Sequence, residues 1–462
     1  MNDIYKVSKY VFFSKNIICS KYSLAYSTIT NKVLAIEKNM ATKIQNQEFE
    51  NVDSDIFQKL IDYEFIVPSH VDELRKVINK FKSFINDDDL LYQVIQPSAN
   101  CQLGCDYCGQ VHNDKKISNN NVDEKIFKRI EHNLSKKNYK TLGISWFGGE
   151  PLMGLSQIKK MSKRLIALTE SKSMGYTAKM VTNGLSLKKE IFYDLFLNYQ
   201  ITSFEVTLDG TAKFHDERRH TKSGRRTFDL ILKNLEDIVN DKRFANSGVN
   251  INIRSNIDGE NYKDTENLIN ILDEKNILKN VNFYLAPLHS WGNDAHKKTL
   301  NREEFAKFEL EVALKLIEKN KKVQTVPSRG KDIVCMSLYN NSELFDAEGN
   351  IYNCSEVSQV PVYTENDYEY RIGSLTDHSH ADIDNNKRPF ANWNDEILEK
   401  KTPCYDCKLL PICGGACPKL WKEGMYPCPS MKTNFEDRIF LQFYQDNLDE
   451  NKEFRIKTKE LV

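Results

Sequence analysis

The sequence predicts an α/β fold centred on a parallel sheet with helices outside it, and three observations lead there. Between about residues 90 and 320, short β-rich runs alternate with amphipathic helical stretches. Each β-rich run closes in a Gly-rich or polar turn before the helix begins, the texture of repeated strand–helix units. The flanks read differently: a short α+β stretch precedes this block, and a cysteine-rich, irregular stretch follows it.

In chain order, residues 1–85 open with a strand at Lys9–Ser14. The strand pair Leu24–Ile29 and Lys32–Glu37 follows, closing around Thr30 and Asn31. Helical patterns at Ile56–Tyr63 and Val71–Phe84 complete a small α+β module. Strands are then expected at Leu91–Gln96, Thr141–Phe147, Thr177–Val181, Ser203–Leu208, Val249–Arg254 and Val281–Leu285. The helices between them are Asp123–Lys136, Ser156–Glu170, Leu187–Asn198, Phe228–Asn240 and Tyr262–Leu272, with Glu303–Glu318 closing the series. Six such units in a row argue for a parallel sheet, either open or curled into a barrel. After Asn320 the alternation stops, and seven cysteines stand among Gly and Pro in loop-like sequence. So irregular a region needs metal or another crosslink to stay ordered. The division that follows is 1–85, 90–320, 321–440 and a tail, 441–462.

A chain of 462 residues suggests two or three domains. Lys+Arg and Asp+Glu both total 65, so the formal net charge is zero and the usual basic signature of a nucleic-acid-binding protein is missing. No apolar run approaches roughly 18 uncharged residues, so no membrane span is expected. The amino terminus lacks the basic-then-apolar order of a secretory signal, and a cytoplasmic location is the working expectation. In a reducing compartment, 11 cysteines read as metal ligands more readily than as disulfides.

Cys101, Cys105 and Cys108 form a C-x3-C-x2-C pattern just after the first barrel strand. A closed structural metal site takes four ligands, so three thiols suggest a coordination position kept open. Zinc completed by His112 or a distant residue is the alternative reading. The pattern resembles the cluster-binding signature of the radical S-adenosylmethionine (radical SAM) enzymes, down to the aromatic Tyr107 before the third cysteine. That resemblance implies a partial (β/α)6 TIM-like barrel in which three cysteines bind a 4Fe–4S cluster. The open iron would take S-adenosylmethionine, whose reductive cleavage yields a 5′-deoxyadenosyl radical.

Other segments share the resemblance. Phe147-Gly148-Gly149-Glu150-Pro151 follows the second strand, where the family's Gly-Gly-Glu-Pro motif meets the methionyl amine through its backbone. Thr182-Asn183-Gly184 and Thr207-Leu208-Asp209-Gly210 end the third and fourth strands, and residues matching Asn183 and Thr207 lie near the ribose in the peptide-modifying branch. His215-Asp216-Glu217-Arg218-Arg219 matches a His-Asp-x-x-Arg pattern. It implies that Arg219 pairs with the cofactor carboxylate, a task suited to a guanidinium fork, with a solvated charged turn as the alternative. Arg254 is a weaker candidate for the same pocket.

Downstream, Cys404-x2-Cys407-x5-Cys413-x3-Cys417 alone reads as a tetrathiolate zinc knuckle, but that strands Cys335, Cys354 and Cys428. The whole series resembles the SPASM domain, an extension that carries two auxiliary iron–sulfur clusters, expected as 4Fe–4S. By family connectivity Cys404, Cys407, Cys413 and Cys428 would hold the second cluster, and Cys335, Cys354 and Cys417 the first. The first set lacks the further cysteine of the fully ligated version, none standing near Asn340 and Asn341. An iron open to water or to a substrate thiolate is thus expected, with a substitute ligand such as Cys19 as the alternative, against the reading of Cys19 as an inert packed thiol. Auxiliary clusters can take the electron that a substrate radical must lose when a new bond forms.

The resemblance points to a ribosomally made precursor peptide as substrate, with a thioether as the first expectation among crosslinks and a flavodoxin- or ferredoxin-like electron donor. Residues 1–85 resemble the winged-helix-like modules that bind leader peptides by strand addition. The competing branch, sulfatase maturation to formylglycine, carries a basic Asp directly after the cysteine matching Cys354, where this chain has Ser355. A zinc-stapled, non-enzymatic binding protein is the third reading. No side chain is named as a general base.

Overall fold

The computed structural model describes residues 4–18, 21–50, 52–86, 89–289, 291–328, 330, 334–364 and 370–448. Cys19 lies outside the described residues. The chain forms two compact units, each assembled from separated stretches. A terminal unit takes Met1–Ile85, Asn301–Cys335 and Asn392–Val462, and a central unit takes Asn86–Leu300 and Met336–Ala391.

The terminal unit begins with β1 (Tyr5–Val7), β2 (Val11–Ile18), β3 (Tyr22–Ser27), β4 (Lys32–Glu37) and β5 (Ile66–Pro68). β2, β3 and β4 form an antiparallel sheet in that order, and β1 pairs with β5. The turn between β3 and β4 includes Asn31 at φ 55°, a left-handed position that Asn tolerates. Helices Lys38–Gln45 and Ser54–Asp62 lie between β4 and β5, and Glu73–Phe84 follows β5; the first of these, with β1 and β5, was not foreseen from the sequence.

Side chains alternate between the two faces along β3 and β4. Ala25, Leu34 and Ile36 pack on one face with Ala41, Ile44, Leu60 and Phe65. Leu24, Tyr26 and Ala35 pack on the other with Val326, Leu409, Ile412, Phe435, Ile439 and Phe443. Cys407 and Cys413 sit against that second core. Polar contacts repeat the join: Lys9 Nζ donates to the Tyr405 carbonyl at 2.8 Å and pairs with Asp406 at 3.0 Å. Thr28 Oγ1 donates to the Lys408 carbonyl at 2.7 Å, and Lys408 Nζ to the Val11 carbonyl at 3.0 Å.

The central unit holds β6 (Leu90–Ile95), β7 (Thr141–Trp146), β8 (Gly175–Thr182), β9 (Ile201–Thr207), β10 (Asn250–Ile257) and β11 (Asn282–Pro287). It adds β12 (Ser342–Phe345), β13 (Asn350–Tyr352) and β14 (Arg371–Ser374). They make one nine-stranded sheet in the order β11-β10-β9-β8-β7-β6-β12-β13-β14. From β6 to β11 every neighbour is parallel, with Leu90 opposite Thr141 and Arg254 opposite Thr207. This is the expected six-unit α/β arrangement, left open at β11 and β14. The helices earn their places by spacing: Phe228–Val239 buries Phe228, Ile231, Leu232, Leu235, Ile238 and Val239 along one stripe.

The stretch after Asn320 is more regular than expected. β12 joins the sheet parallel to β6, with Ser342 opposite Tyr92, and β13 and β14 add to it antiparallel. A buried ion cluster fixes β12. The Glu343 carboxylate takes Arg129 Nε at 2.9 Å and Nη2 at 2.5 Å, Arg388 Nη2 at 3.1 Å and Asn133 Nδ2 at 2.9 Å. Burial opposes the charge, but the two guanidinium groups win and hold this carboxyl at about 2.

Candidate functional site

The first cysteine loop leaves the carboxyl end of β6, where a parallel sheet gathers its ligand-binding loops. It is stitched to the segment after β9: Gly104 N donates to the His220 carbonyl at 2.9 Å, Asp106 N to Arg218 at 3.1 Å, and Lys222 N to Gln102 at 3.0 Å. That pairing brings Arg219 beside the cysteines. Cys101, Cys105 and Cys108 line one cavity of about 1060 Å³, partly open to solvent, together with Tyr107, Gly148, Gly149, Asn183, Thr207, Arg219 and Arg254.

The Gly-Gly-Glu-Pro turn after β7 presses its backbone against this loop. Gly148 has φ 80° and Gly149 φ 39°, and a Cβ on Gly149 would stand 2.6 Å from the Asn100 carbonyl oxygen. Only glycine meets both demands. Glu150 is fully buried and its carboxylate is spent inside the protein, accepting from Thr182 Oγ1 at 2.7 Å, Asn183 N at 2.7 Å and Leu152 N at 2.9 Å. It therefore ties the turn to the end of β8, while Pro151 starts the short helix after it. Asn183 Oδ1 accepts from Leu185 N at 2.9 Å, and its Nδ2 donates toward Cys101 Sγ at 3.8 Å.

His215 to Arg218 of the His-Asp-x-x-Arg motif lie in a helix, Ala212–Arg218, and Arg219 is the residue that caps its carboxyl end. His215 Nδ1 accepts from Asp209 N at 3.3 Å, which requires that nitrogen to be unprotonated. Nε2 meets Thr227 Oγ1 at 3.2 Å, while that hydroxyl donates to the Arg219 carbonyl. Asp216 Oδ1 takes Thr227 N and Phe228 N at 2.7 and 2.9 Å, capping the next helix. Arg218 pairs with Asp258 at 3.3 Å. Arg219 alone reaches the cavity wall. Its Nη1 donates to the Tyr107 hydroxyl, and its buried Nε has no protein partner.

Tyr107 is the hub of this wall. Its hydroxyl donates to Asp209 Oδ2 at 2.5 Å and accepts from Arg219 and from Asn256 Nδ2 at 3.0 Å. Burial keeps the phenol protonated, well above the usual tyrosine range. Burial likewise pushes the Cys101 thiol up to about 12 and Cys105 up to about 11, and raises Cys108. Thiols so placed are poor nucleophiles at neutral pH; a metal that displaces their protons gives them a role. Among the described residues no three His, Cys, Asp or Glu side chains close to single-ion spacing. The three thiols line one open cavity, a donor set of the kind that holds an iron–sulfur cluster.

Residues 95–272 match the family model of the radical SAM superfamily. This segment is a radical SAM domain. The chain is similar along most of its length to anaerobic sulfatase-maturating enzymes. It is 22% identical over 367 residues to the serine-type enzyme of Bacteroides thetaiotaomicron, covering 71% of this chain and 83% of that protein. It is 23% identical over 373 residues to the cysteine-type enzyme of Clostridium novyi, covering 76% and 95%. Among solved structures, anSMEcpe with bound AdoMet gives a TM-score of 0.57 at 18% identity, over 79% of this chain and 97% of that one. The same protein with AdoMet and a Cp18Cys peptide gives 0.56 at 17% identity, over 77% and 99%. Those likenesses establish the fold.

Within the radical SAM domain, Cys101, Cys105, Tyr107, Cys108, Gly148, Gly149, Asn183, Thr207, Arg219 and Arg254 meet at one cavity. Glu150 and Pro151 are buried and do not line it, and other residues at the site were not singled out. Asp209 stood unremarked inside Thr207-Leu208-Asp209-Gly210. Asp209 acts through Tyr107 without lining the cavity, while Asn256 of this domain and Glu356 from beyond it do line it. For Asp209 and Asn256 the available signal was position at the carboxyl end of a parallel strand; Glu356 follows the antiparallel β13 and carried no such signal. Beyond this domain, Cys404, Cys407, Cys413 and Cys428 line a second cavity of about 350 Å³ within the terminal unit. Burial pushes Cys404 up to about 11 and Cys413 up to about 12. Cys335 and Cys417 belong to the terminal unit and Cys354 to the central one, so that ligand set stays a reading of the sequence.

Proposed function

We propose that the chain is a radical SAM enzyme that modifies a ribosomally made precursor peptide, forming a crosslink, with a thioether between a cysteine sulfur and a carbon as the first expectation. One observation carries it: three thiols, a glycine-lined backbone turn and a guanidinium edge face a single cavity at the carboxyl ends of six parallel strands. Cys101, Cys105 and Cys108 would hold a 4Fe–4S cluster. Gly148, Gly149 and the backbone of Glu150 and Pro151 would receive S-adenosylmethionine, with Asn183, Thr207, Tyr107 and Arg219 around it. When bound, this pair supplies a 5′-deoxyadenosyl radical.

The protein's own part is placement. With Nη1 engaged by Tyr107 and Nε buried without a partner, the edge of the Arg219 guanidinium that lines the cavity is the part that would meet a carboxylate. Glu150 fixes the turn without facing the ligand. The remaining cavity, bounded by Trp291, Leu288 and Glu356, leaves room for a peptide side chain. The four thiols of the terminal unit suit an auxiliary iron–sulfur cluster, which would take up the one electron released with a proton when the peptide radical, already short of one hydrogen atom, closes the new bond. A flavodoxin- or ferredoxin-like protein would deliver the initiating electron, and the three-stranded sheet offers edges for a leader peptide. No described helix is long and apolar enough to cross a membrane.

Sulfatase maturation is the second reading, favoured by the names of the two curated relatives and opposed by Ser355 where that branch has its base. The test is anaerobic reconstitution with S-adenosylmethionine and a reductant. The expected product is 5′-deoxyadenosine, abolished by Cys101→Ala, Cys105→Ala and Cys108→Ala together while the other iron stays bound. An intact cofactor in the iron-loaded wild type sinks the proposal. Formylglycine formed on a sulfatase-derived peptide selects the second reading. Loss of two hydrogens per bond from a peptide encoded beside the gene selects the first.

A further inference from the structure

The second thiol cavity has one charged wall. Apart from Cys404, Cys407, Cys413 and Cys428, its described lining is Pro, Leu, Gly and Ala, with Lys432 as the single ionisable exception. The Lys432 Nζ donates to Cys428 Sγ at 3.7 Å. Its charge also acts on Cys404, opposing the burial that raises that thiol. The backbone that presents it is well held: Ser430–Lys432 is a short helical turn closed by Lys432 N on the Pro429 carbonyl at 3.0 Å. Ser430 Oγ bonds Glu309, which Arg438 Nη2 grips at 2.6 Å.

We propose that Lys432 is a positioning residue for electron flow, raising the reduction potential of the iron–sulfur cluster that these four cysteines hold; it rests on the cluster assignment above. Four thiolates around a cluster leave a net negative charge in apolar surroundings, and reduction adds another. An ammonium beside one ligand stabilises the reduced state more than the oxidised one. A hydrogen bond to the ligand sulfur works in the same direction, because it draws electron density away from the iron. The reduced cluster would therefore form more readily, which favours acceptance of an electron from the peptide radical. Since Lys432 is exposed, added salt should weaken the effect. A lysine that only happens to lie on the surface there would show neither behaviour.

The experiment is a redox titration of the full, anaerobically reconstituted chain, followed by electron paramagnetic resonance, with iron and sulfide measured in parallel. Lys432→Met should keep its iron and move the auxiliary midpoint to lower potential. Lys432→Glu should move it further, and Lys432→Arg should restore it. The wild-type-to-Met difference should shrink as salt is raised. Unchanged midpoints in iron-loaded Met and Glu variants overturn the proposal. Loss of iron in the Met variant also overturns it, since the lysine would then be a support for assembly. The underlying assignment fails separately, if Cys404→Ala with Cys413→Ala leaves the iron content unchanged.

Discussion

His215 shows how a residue can matter to a site without facing it. It is fully buried, and burial, with Arg219 nearby, lowers it to about 4 from 6.5. Its unprotonated Nδ1 holds the backbone of Asp209, the acceptor of the Tyr107 hydroxyl. The sign follows from linkage. Above about pH 6.5 the residue is neutral in both folded and unfolded chains. As pH falls from there toward 4, only the unfolded chain gains the proton, so stability drops by up to about 3 kcal/mol. His215→Gln, a neutral residue with a donor and an acceptor, should therefore lose less stability than the wild type across that window, read by urea unfolding at each pH. Equal losses would mean His215 does not titrate on unfolding. Tyr107→Phe should expose a different dependence. It removes the acceptor that Arg219 and Asn256 share, at a cost of about 1–3 kcal/mol, and should weaken S-adenosylmethionine binding by calorimetry of the iron-loaded protein. Of this site, the residues carried by motifs were legible in the sequence. The division of labour was not. Arg218 and Arg219 are neighbours of one type, and only the fold sends one to Asp258 and the other to the cavity.

At the scale of elements, the six strands were legible because short β-rich runs recur in step with longer helical stretches such as Leu155–Ser171 and Phe228–Val239. The observed strands begin and end within a few residues of expectation. β12, β13 and β14 were not legible. They have four, three and four residues, and what makes β12 a strand is β6, some 250 positions earlier. Glu343 in β12 reads as a surface residue, yet it neutralises Arg129 and Arg388 in the interior. Glu343→Gln should cost about 3–5 kcal/mol, since it leaves two buried guanidinium groups with no carboxylate. Its lowered acidity gives the pH sign. The ion cluster contributes fully above about pH 4.5 and fades as pH falls toward 2. The variant should lack that component in acid unfolding curves, and a variant as acid-sensitive as the wild type would assign the loss elsewhere.

At the scale of the whole molecule, the terminal unit is built from both ends of the chain. Leu24, Tyr26 and Ala35 near one end share a core with Leu409, Ile412 and Phe435 near the other, and Cys407 and Cys413 rest on it. Removing residues 1–85 should therefore do more than remove a recognition module. The shortened chain should lose iron from the Cys404, Cys407, Cys413 and Cys428 cavity and should aggregate through Leu409 and Ile412. Iron content and sedimentation measure both, and a soluble truncation with full iron would contradict this view of the unit. The sequence hid the join because 301 positions separate Tyr26 from Pro327, whose carbonyl accepts its hydroxyl. The clasp between Lys9, Thr28 and the Tyr405–Lys408 loop has a practical corollary for anyone building chimaeras. A foreign amino-terminal module grafted onto this chain would arrive without the matching half of the clasp. Transplants should succeed only when module and loop travel as a pair.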